Sequence, residues 1–133
     1  MKRVFIDTIG FLALWNARDQ WHSAATEALQ KLTGEGADFY TTEHVFMECA
    51  NAAARAPFRN DVIEVRREFM SDGKVIVPTE AESAAAWDAY ANKEAGEAGI
   101  VDQFSFIVMR RLGITEVFGN DRHFKAAGFV TLF

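Results

Sequence analysis

Short apolar runs alternate along the chain with longer segments whose apolar residues recur at helical spacing. The strand-like runs lie at residues 3–6, 39–41, 74–77, 114–118 and 129–133. They are brief, rich in β-branched and aromatic residues, and separated by helical segments. This order predicts an α/β fold, a three-layer α/β/α sandwich with a mostly parallel central sheet of four to five strands.

The segments between these runs carry helix start and stop signals. We expect helices over 8–15, from Asp19 to a break at 33–36, over 43–55 and 58–70, from Thr79 to about 93, and over 101–112. Thr42 and Asp19 are candidate caps, and Thr79 with Glu82 fits a capping box. A loop at 95–99 precedes the last helix, which Gly113 ends.

Length and composition favour one compact domain over residues 1–133. Half of the 133 residues are hydrophobic and twelve are Phe, enough for a sizeable core. The net charge of −5 argues against a general nucleic-acid coating protein, whose domains are usually basic. It remains compatible with an enzyme whose acidic centre is neutralised by metal ions.

The remaining bulk features indicate a cytoplasmic protein that has no membrane span. The single cysteine, Cys49, cannot form an internal disulfide, which fits a reducing compartment. No window approaches eighteen consecutive apolar residues. The N-terminus runs directly into a strand pattern and does not read as a signal peptide.

Two aspartates follow strand-like runs. Asp7 comes directly after the first run, and Asp121 comes shortly after the fourth. In an open parallel sheet, ligands bind at the carboxyl ends of the strands. Both carboxylates are therefore expected at that edge.

Two further acids lie on helices. Asp102 is in the first turn of its predicted helix, away from a polar stripe marked by Gln103 and Arg110. The alternative is that Asp102 only stabilises the start of its helix, because a negative charge in the first turn interacts favourably with the helix dipole. Glu48 shares a polar strip of its predicted helix with His44, Asn51 and Arg55. The alternative role of Glu48 is a solvent-exposed ion pair with Arg55.

Four converging carboxylates would repel one another, by about 4 kcal/mol per pair at 4 Å and a surface-like dielectric. Such a cluster either takes up protons or binds cations, and oxygen ligands suit Mg²⁺ or Mn²⁺. No zinc motif is present, although His44 and Glu48 share a helical face that keeps a metal role for His44 open. His22 and His123 are interpreted as surface or packing residues.

Other chemistries find little support. The chain has no Gly-rich phosphate loop and no Gly-x-Ser-x-Gly motif. Cys49 falls in the middle of a helix on its core side, as a packing residue would. An aspartyl-phosphate enzyme using Asp7 stays open as an alternative, but Ile9 stands where its second aspartate is usual.

Four sequence blocks together resemble the PIN domain, and within it the small VapC-type toxins of bacterial toxin–antitoxin pairs. The blocks are VFIDTIGFLAL, TTEHVFMECANAAAR, GIVDQFSFIVMRRLGI and VFGNDRHFKAAGF. Each block alone is common, but the four occur in order and at the expected spacing across essentially the whole chain.

The resemblance implies a metal-dependent ribonuclease. It assigns Asp7, Glu48, Asp102 and Asp121 as catalytic residues and as ligands of Mg²⁺ or Mn²⁺. Thr8 and Asn51 match the family's supporting positions. The implied reaction hydrolyses RNA phosphodiester bonds, leaving a 5′-phosphate and a 3′-hydroxyl.

Two positions depart from the family pattern. Gly119 stands where Thr or Ser is frequent, and Asn120 is the candidate substitute for the missing hydroxyl. Gln103 occupies a position that is usually small. The first departure keeps open a catalytically weakened PIN-fold module that binds RNA or protein.

The resemblance also implies partners: an RNA substrate, a cognate antitoxin that blocks the site, and a second copy in a homodimer. Arg55 and Arg122 are candidate RNA contacts because they are near the proposed site in the sequence. Phe11, Trp15 and Trp21 are candidate partner contacts, although core positions are favoured for them.

Overall fold

Strands and helices follow the order that the hydrophobic pattern predicts. The structure, a computed structural model, describes residues 2–133. Its elements are β1 Arg3–Ile6, α1 Thr8–Trp15, α2 His22–Gly34, β2 Asp38–Thr42, α3 Glu43–Ala53, α4 Arg59–Ser71, β3 Val75–Ile76, α5 Glu80–Ala91, α6 Glu94–Glu97, α7 Ile100–Leu112, β4 Glu116–Phe118, α8 Arg122–Ala126 and β5 Val130–Thr131.

The five strands form one parallel sheet in the order β3-β2-β1-β4-β5. Phe5 of β1 pairs with Tyr40 of β2 on one side and with Val117 of β4 on the other. The chain order reverses between β1 and β4, so their carboxyl ends open the crevice where ligands bind in such sheets. The predicted α/β fold with a central parallel sheet is confirmed.

Helices pack in two groups around this sheet. The first group is α1 to α4, and in the second α5 and α8 pack against α6 and α7. The core between them is dominated by phenylalanines, of which the most deeply buried are Phe5, Phe11, Phe46, Phe106, Phe118 and Phe124. Burying rings of this size supplies most of the hydrophobic stabilisation of a domain of this length.

Two predicted caps are observed and one is corrected. The Thr42 hydroxyl accepts a hydrogen bond from Val45 N–H at 3.3 Å, and Thr79 with Glu82 forms the complete capping box. Asp19 does not cap α2, whose N-cap is Trp21; its carboxylate instead accepts from Trp21 N–H in the preceding turn. Trp21 is 39% exposed, so it is not part of the core, whereas Phe11 is.

The segment predicted as a loop at 95–99 is partly a left-handed turn. Lys93, Ala95, Gly96 and Glu97 all have positive φ values, between 54° and 69°. The segment lacks right-handed helical backbone angles at Ala95 and Gly96, so its irregular course agrees with the predicted loop. The left-handed conformation itself was not predictable, because no sequence signal marks three non-glycine residues for it and side chains disfavour it.

Helix α8 was not predicted either. Its five residues are too few to show a helical period. The bounds of β1 match the prediction, and the ends of the other strands differ from it by at most two residues. Within residues 2–133, no helix is long and apolar enough to cross a membrane.

Candidate metal and active site

An open cavity of about 470 Å³ lies at the carboxyl ends of the strands. It is lined by Asp7, Thr8, Ile9, Glu48, Asn51, Asp102 and Asp121. The four carboxylates named from the sequence thus share one cavity, together with both supporting residues of the family pattern. Ile9 is the one lining residue that the sequence reasoning had not placed at the site.

Asp7 links β1 to α1 and is the most buried of the four acids. It is 2% exposed, and its backbone N–H donates to Phe118 O of β4 at 3.2 Å. Its Oδ1 is buried and has no hydrogen-bond partner among the described residues. A buried carboxylate oxygen without a partner is costly, so this atom points to a missing cation or proton.

The pKa of Asp7 is raised well above its usual value. Burial is the main cause, and the negative charges of Asp102, Asp121 and Glu48 add to it, while the Thr8 backbone N–H opposes it. Each acid therefore makes its neighbours harder to ionise, as expected for carboxylates brought close together.

Glu48 reaches the cavity from α3. Its Oε1 accepts a hydrogen bond from Thr8 Oγ1 at 2.6 Å, which joins the start of α1 to the middle of α3. This contact replaces the solvent pairing with Arg55 that was the alternative from the sequence. Asn51, one turn further along α3, lines the same cavity.

Asp102 enters from the first turn of α7. Its pKa is raised to about 7, first by burial and then by the charges of Asp121 and Glu48. His123 acts in the opposite direction and lowers the pKa of Asp102. Burial and the neighbouring negative charges thus both favour the protonated form of this carboxyl.

Asp121 is the N-cap of α8. Its Oδ1 accepts from the backbone N–H of His123 at 2.9 Å and lies 2.7 Å from Nδ1 of the same residue. These two contacts occupy Oδ1, which leaves Oδ2 to face other partners. The cap is also what turns the chain after β4 so that the carboxylate is at the cavity.

His123, interpreted from the sequence as a surface or packing residue, lies beside two of the candidate ligands. Asp102, Asp121 and His123 each offer one ligand atom, and these atoms lie within 4.8 Å of one another. The only sequence signal was the position of His123 two residues after a candidate ligand.

His44 is not among the described residues that line this cavity. Its ring stacks on Phe104, with centroids 4.2 Å apart, and so packs α3 against α7. Cys49 is fully buried, and burial raises the pKa of its thiol far above the usual value, so it packs as expected.

Three further candidates lie outside the cavity lining that residues 2–133 form: Asn120, Arg55 and Arg122. Both arginines are exposed. Gly119 is buried beside the site, where a Cβ would lie 3.3 Å from Asp7 Cβ and 3.6 Å from Asp7 Oδ2. The missing hydroxyl would therefore have been next to Asp7.

The donor set fits a hard divalent ion. Carboxylate oxygens are the ligands that Mg²⁺ and Mn²⁺ prefer, and the unpartnered Oδ1 of Asp7 is an oxygen of this kind. An ion held among the four acids would offset both the burial and the mutual repulsion that raise the pKa values of Asp7 and Asp102.

The chain is similar in sequence to one family of known proteins. Residues 4–130 match the PIN domain. The 23S rRNA-specific endonuclease VapC20 of Mycobacterium tuberculosis, from strains CDC 1551 and H37Rv, is 30% identical over 128 residues. The match covers 96% of this chain and 95% of VapC20.

Similarity extends to three dimensions. The crystal structure of Mycobacterium tuberculosis VapC20, described as a sarcin–ricin loop cleaving toxin, superposes with a TM-score of 0.76 at 29% identity. The superposition covers 96% of each chain. The PIN-like fold expected from the four blocks is thereby confirmed.

Proposed function

This chain belongs to the PIN domain family, and we propose that it is a metal-dependent endoribonuclease of the VapC toxin type. The observation that carries the proposal is the shared cavity of Asp7, Glu48, Asp102 and Asp121. The buried, unpartnered oxygen of Asp7 within it marks a place for a cation.

Asp7, Glu48, Asp102 and Asp121 would hold one or two Mg²⁺ or Mn²⁺ ions. When bound, such an ion supplies positive charge that stabilises a scissile phosphate in the transition state and acidifies the attacking water. An essential general base from a side chain is not required, because the ion already lowers the pKa of the attacking water.

Other residues of the chain keep these carboxylates in place. Thr8 Oγ1 donates to Glu48, and the His123 backbone N–H holds Oδ1 of Asp121. The Asn51 amide lines the cavity and can donate to a phosphate oxygen of the substrate. Such support from neighbouring groups fixes the ligand oxygens before the ion arrives, which lowers the cost of binding.

Similarity to VapC20 makes the sarcin–ricin loop of 23S rRNA the first substrate to test. The likeness covers nearly the whole chain in sequence and in fold. Arg55 and Arg122, both exposed, are the proposed contacts to the RNA backbone. An rRNA substrate also implies action in the cytoplasm.

A cognate antitoxin and a homodimer complete the proposal. An arginine or lysine of the antitoxin could enter the acidic cavity and take the place of the metal charge, because the four acids attract any cation of suitable size. The VapC20 likeness supports a toxin with such a partner.

The proposal is tested with a synthetic sarcin–ricin RNA hairpin and purified protein. We expect cleavage with Mg²⁺ or Mn²⁺ and none with EDTA. Asp7→Asn and Asp102→Asn should each lower the rate on the order of a hundredfold or more, as loss of one transition-state stabilising group does. Asp88→Asn, which removes an exposed charge from α5, is the matched control and should cleave normally.

Undiminished cleavage by Asp102→Asn would contradict the assignment of the site. Tight RNA binding without cleavage at any metal concentration would instead support the alternative, a PIN-fold binding module weakened at Gly119.

A further inference from the structure

Gln103, the residue after Asp102, is a buried amide that closes the left-handed turn beside the site. Its side chain is 3% exposed, although the helical projection had placed it on a polar stripe. The Nε2 group donates to the carbonyl oxygens of Glu94 at 3.0 Å and of Ala98 at 3.5 Å. Glu94 is the first residue of α6 and Ala98 directly follows its last residue, so a single amide group holds both ends of the turn.

The turn needs such support because of its backbone. Lys93, Ala95 and Glu97 have φ values of 54°, 54° and 62°, a region that residues with a side chain rarely adopt. A backbone held in this region persists only where surrounding contacts impose it, and such segments concentrate at functional sites. The hydrogen bonds from Gln103 are contacts of this kind.

The supported turn packs against the residue that holds Asp121. A Cβ built on Gly96 would lie 3.8 Å from Cδ2 of His123. His123 in turn places its Nδ1 2.7 Å from Oδ1 of Asp121. Because α6 and α8 lie against each other, a series of neighbouring groups runs from Gln103 through α6 and His123 to a cavity carboxylate.

From these contacts we infer that Gln103 is a positioning residue for Asp121. By holding α6 in place, it keeps His123 against α8, and His123 keeps Oδ1 of Asp121 occupied so that Oδ2 faces the cavity. A small residue at position 103 would leave both carbonyls without this donor. The inference rests on the proposed function, because its consequence is a preformed divalent-metal site.

The principal variant is Gln103→Met, which keeps the length of the side chain but removes the donor. The matched control is Ser105→Ala, because Ser105 is also buried on α7 but donates only to Val101 O within the same helix, at 3.0 Å. Both variants should lower the melting temperature. Only Gln103→Met should also weaken metal binding, since the loss of a purely structural hydrogen bond would not change the metal affinity.

The readout is the Mn²⁺ dissociation constant of the full chain, measured by isothermal titration calorimetry. We expect Gln103→Met to raise this constant about fivefold, somewhat less than the ~10–100-fold typical of groups that touch a metal ligand directly. Ser105→Ala should stay within about twofold of the wild type, as expected for a site without contact to the ligands. In RNA cleavage, Gln103→Met should lower kcat and leave KM unchanged.

Two further variants keep the inference testable if Gln103→Met does not fold. Gly96→Val places a branched side chain at an exposed position with φ of 69° and should weaken Mn²⁺ binding several-fold without touching the core. In a His123→Ala background, Gln103→Met or Gly96→Val should change Mn²⁺ affinity by less than about twofold, because the ring that joins α6 to Asp121 Oδ1 is already absent and only the backbone N–H donor remains.

Wild-type Mn²⁺ affinity in Gln103→Met or in Gly96→Val would overturn the inference, and so would a full effect that persists in the His123→Ala background. These results leave the proposed function intact if the wild type binds Mn²⁺ and cleaves RNA. A wild-type protein that binds no divalent metal would overturn both.

Discussion

At position 119, the backbone passes so close to Asp7 that any side chain would touch this residue. The nearest atom to an added Cβ is Asp7 Cβ at 3.3 Å, a tight contact, and the next is Asp7 Oδ2 at 3.6 Å. The resemblance to the PIN family identified the missing hydroxyl, but only the structure shows which carboxylate that hydroxyl would meet.

We predict that Gly119→Ser cleaves RNA faster than Gly119→Ala, by about threefold or more. Alanine adds only the tight contact to Asp7, whereas serine adds a hydroxyl that can hydrogen-bond to the carboxylate and hold it in place, a contact worth roughly 1 kcal/mol. Initial rates with saturating Mn²⁺ measure the difference. Equal rates for the two variants would show that a hydroxyl at this position has no part in the reaction.

At the scale of residues, the sequence could predict the four acids and two of their neighbours, Thr8 and Asn51, but not the other groups around them. Asp7 and Asp121 follow from strand ends, and Asp102 from its place on a helix. The surroundings of His123 and Gln103 were not predictable because they depend on how α6, α7 and α8 come together. Spacing along the chain carries no signal for such contacts.

Gly10 controls the packing of α1 against β4. A Cβ at this position would lie 2.1 Å from the backbone oxygen of Phe118, which cannot be accommodated without moving one of the two elements. Because α1 begins at Thr8, directly after Asp7, its position also sets the position of the site.

We predict that Gly10→Ala destabilises the protein by about 3 kcal/mol, at the upper end of what overpacking costs. It should also lower RNA cleavage, since α1 must move. Urea denaturation measures the first effect. The control is Gly34→Ala, at the end of α2, where an added Cβ has no neighbour within 4 Å. A stability for Gly10→Ala equal to that of this control would contradict the close packing.

Long periodic elements were predictable, and short or strained ones were not. The pattern identified α3, α4 and α7 to within two residues because each has an apolar face and an end signal. Asp121 caps helix α8, and α6 includes three non-glycine residues with positive φ values that few sequences favour. Local sequence cannot specify either.

For the molecule as a whole, the acidic cavity should make stability depend on pH when no metal is present. The pKa of Asp102 is raised from 3.8 to about 7, and that of Asp7 is also raised. The folded state then binds these protons more tightly than the unfolded state. Raising the pH from about 4 through 7 therefore removes stability.

We predict that in EDTA the melting temperature falls by on the order of 5 °C between about pH 5.5 and pH 7.5. Saturating Mn²⁺ should reduce this fall, because the ion replaces the protons. Asp102→Asn should flatten the profile and be more stable than the wild type at the higher pH, since it removes one buried charge. A wild-type profile that rises over this range would contradict the raised pKa values.

The alternation of strand-like and helical segments was enough to predict the fold class, but it did not predict the order of the strands in the sheet. Any parallel α/β sheet would produce the same sequence of elements. The order β3-β2-β1-β4-β5 depends on the long return from β3 to β4, which places the ends of β1 and β4 side by side. That a single domain spans residues 1–133 stays a prediction.

Cleavage chemistry tests the central claim, that four carboxylates and a divalent ion hydrolyse RNA, most directly. The measurement is the identity of the new RNA ends after incubation of a sarcin–ricin hairpin with the wild type and with Asp102→Asn. We expect 5′-phosphate and 3′-hydroxyl ends that require Mg²⁺ or Mn²⁺ and are lost in the variant. Ends bearing a 2′,3′-cyclic phosphate, or cleavage that persists in EDTA, would contradict it.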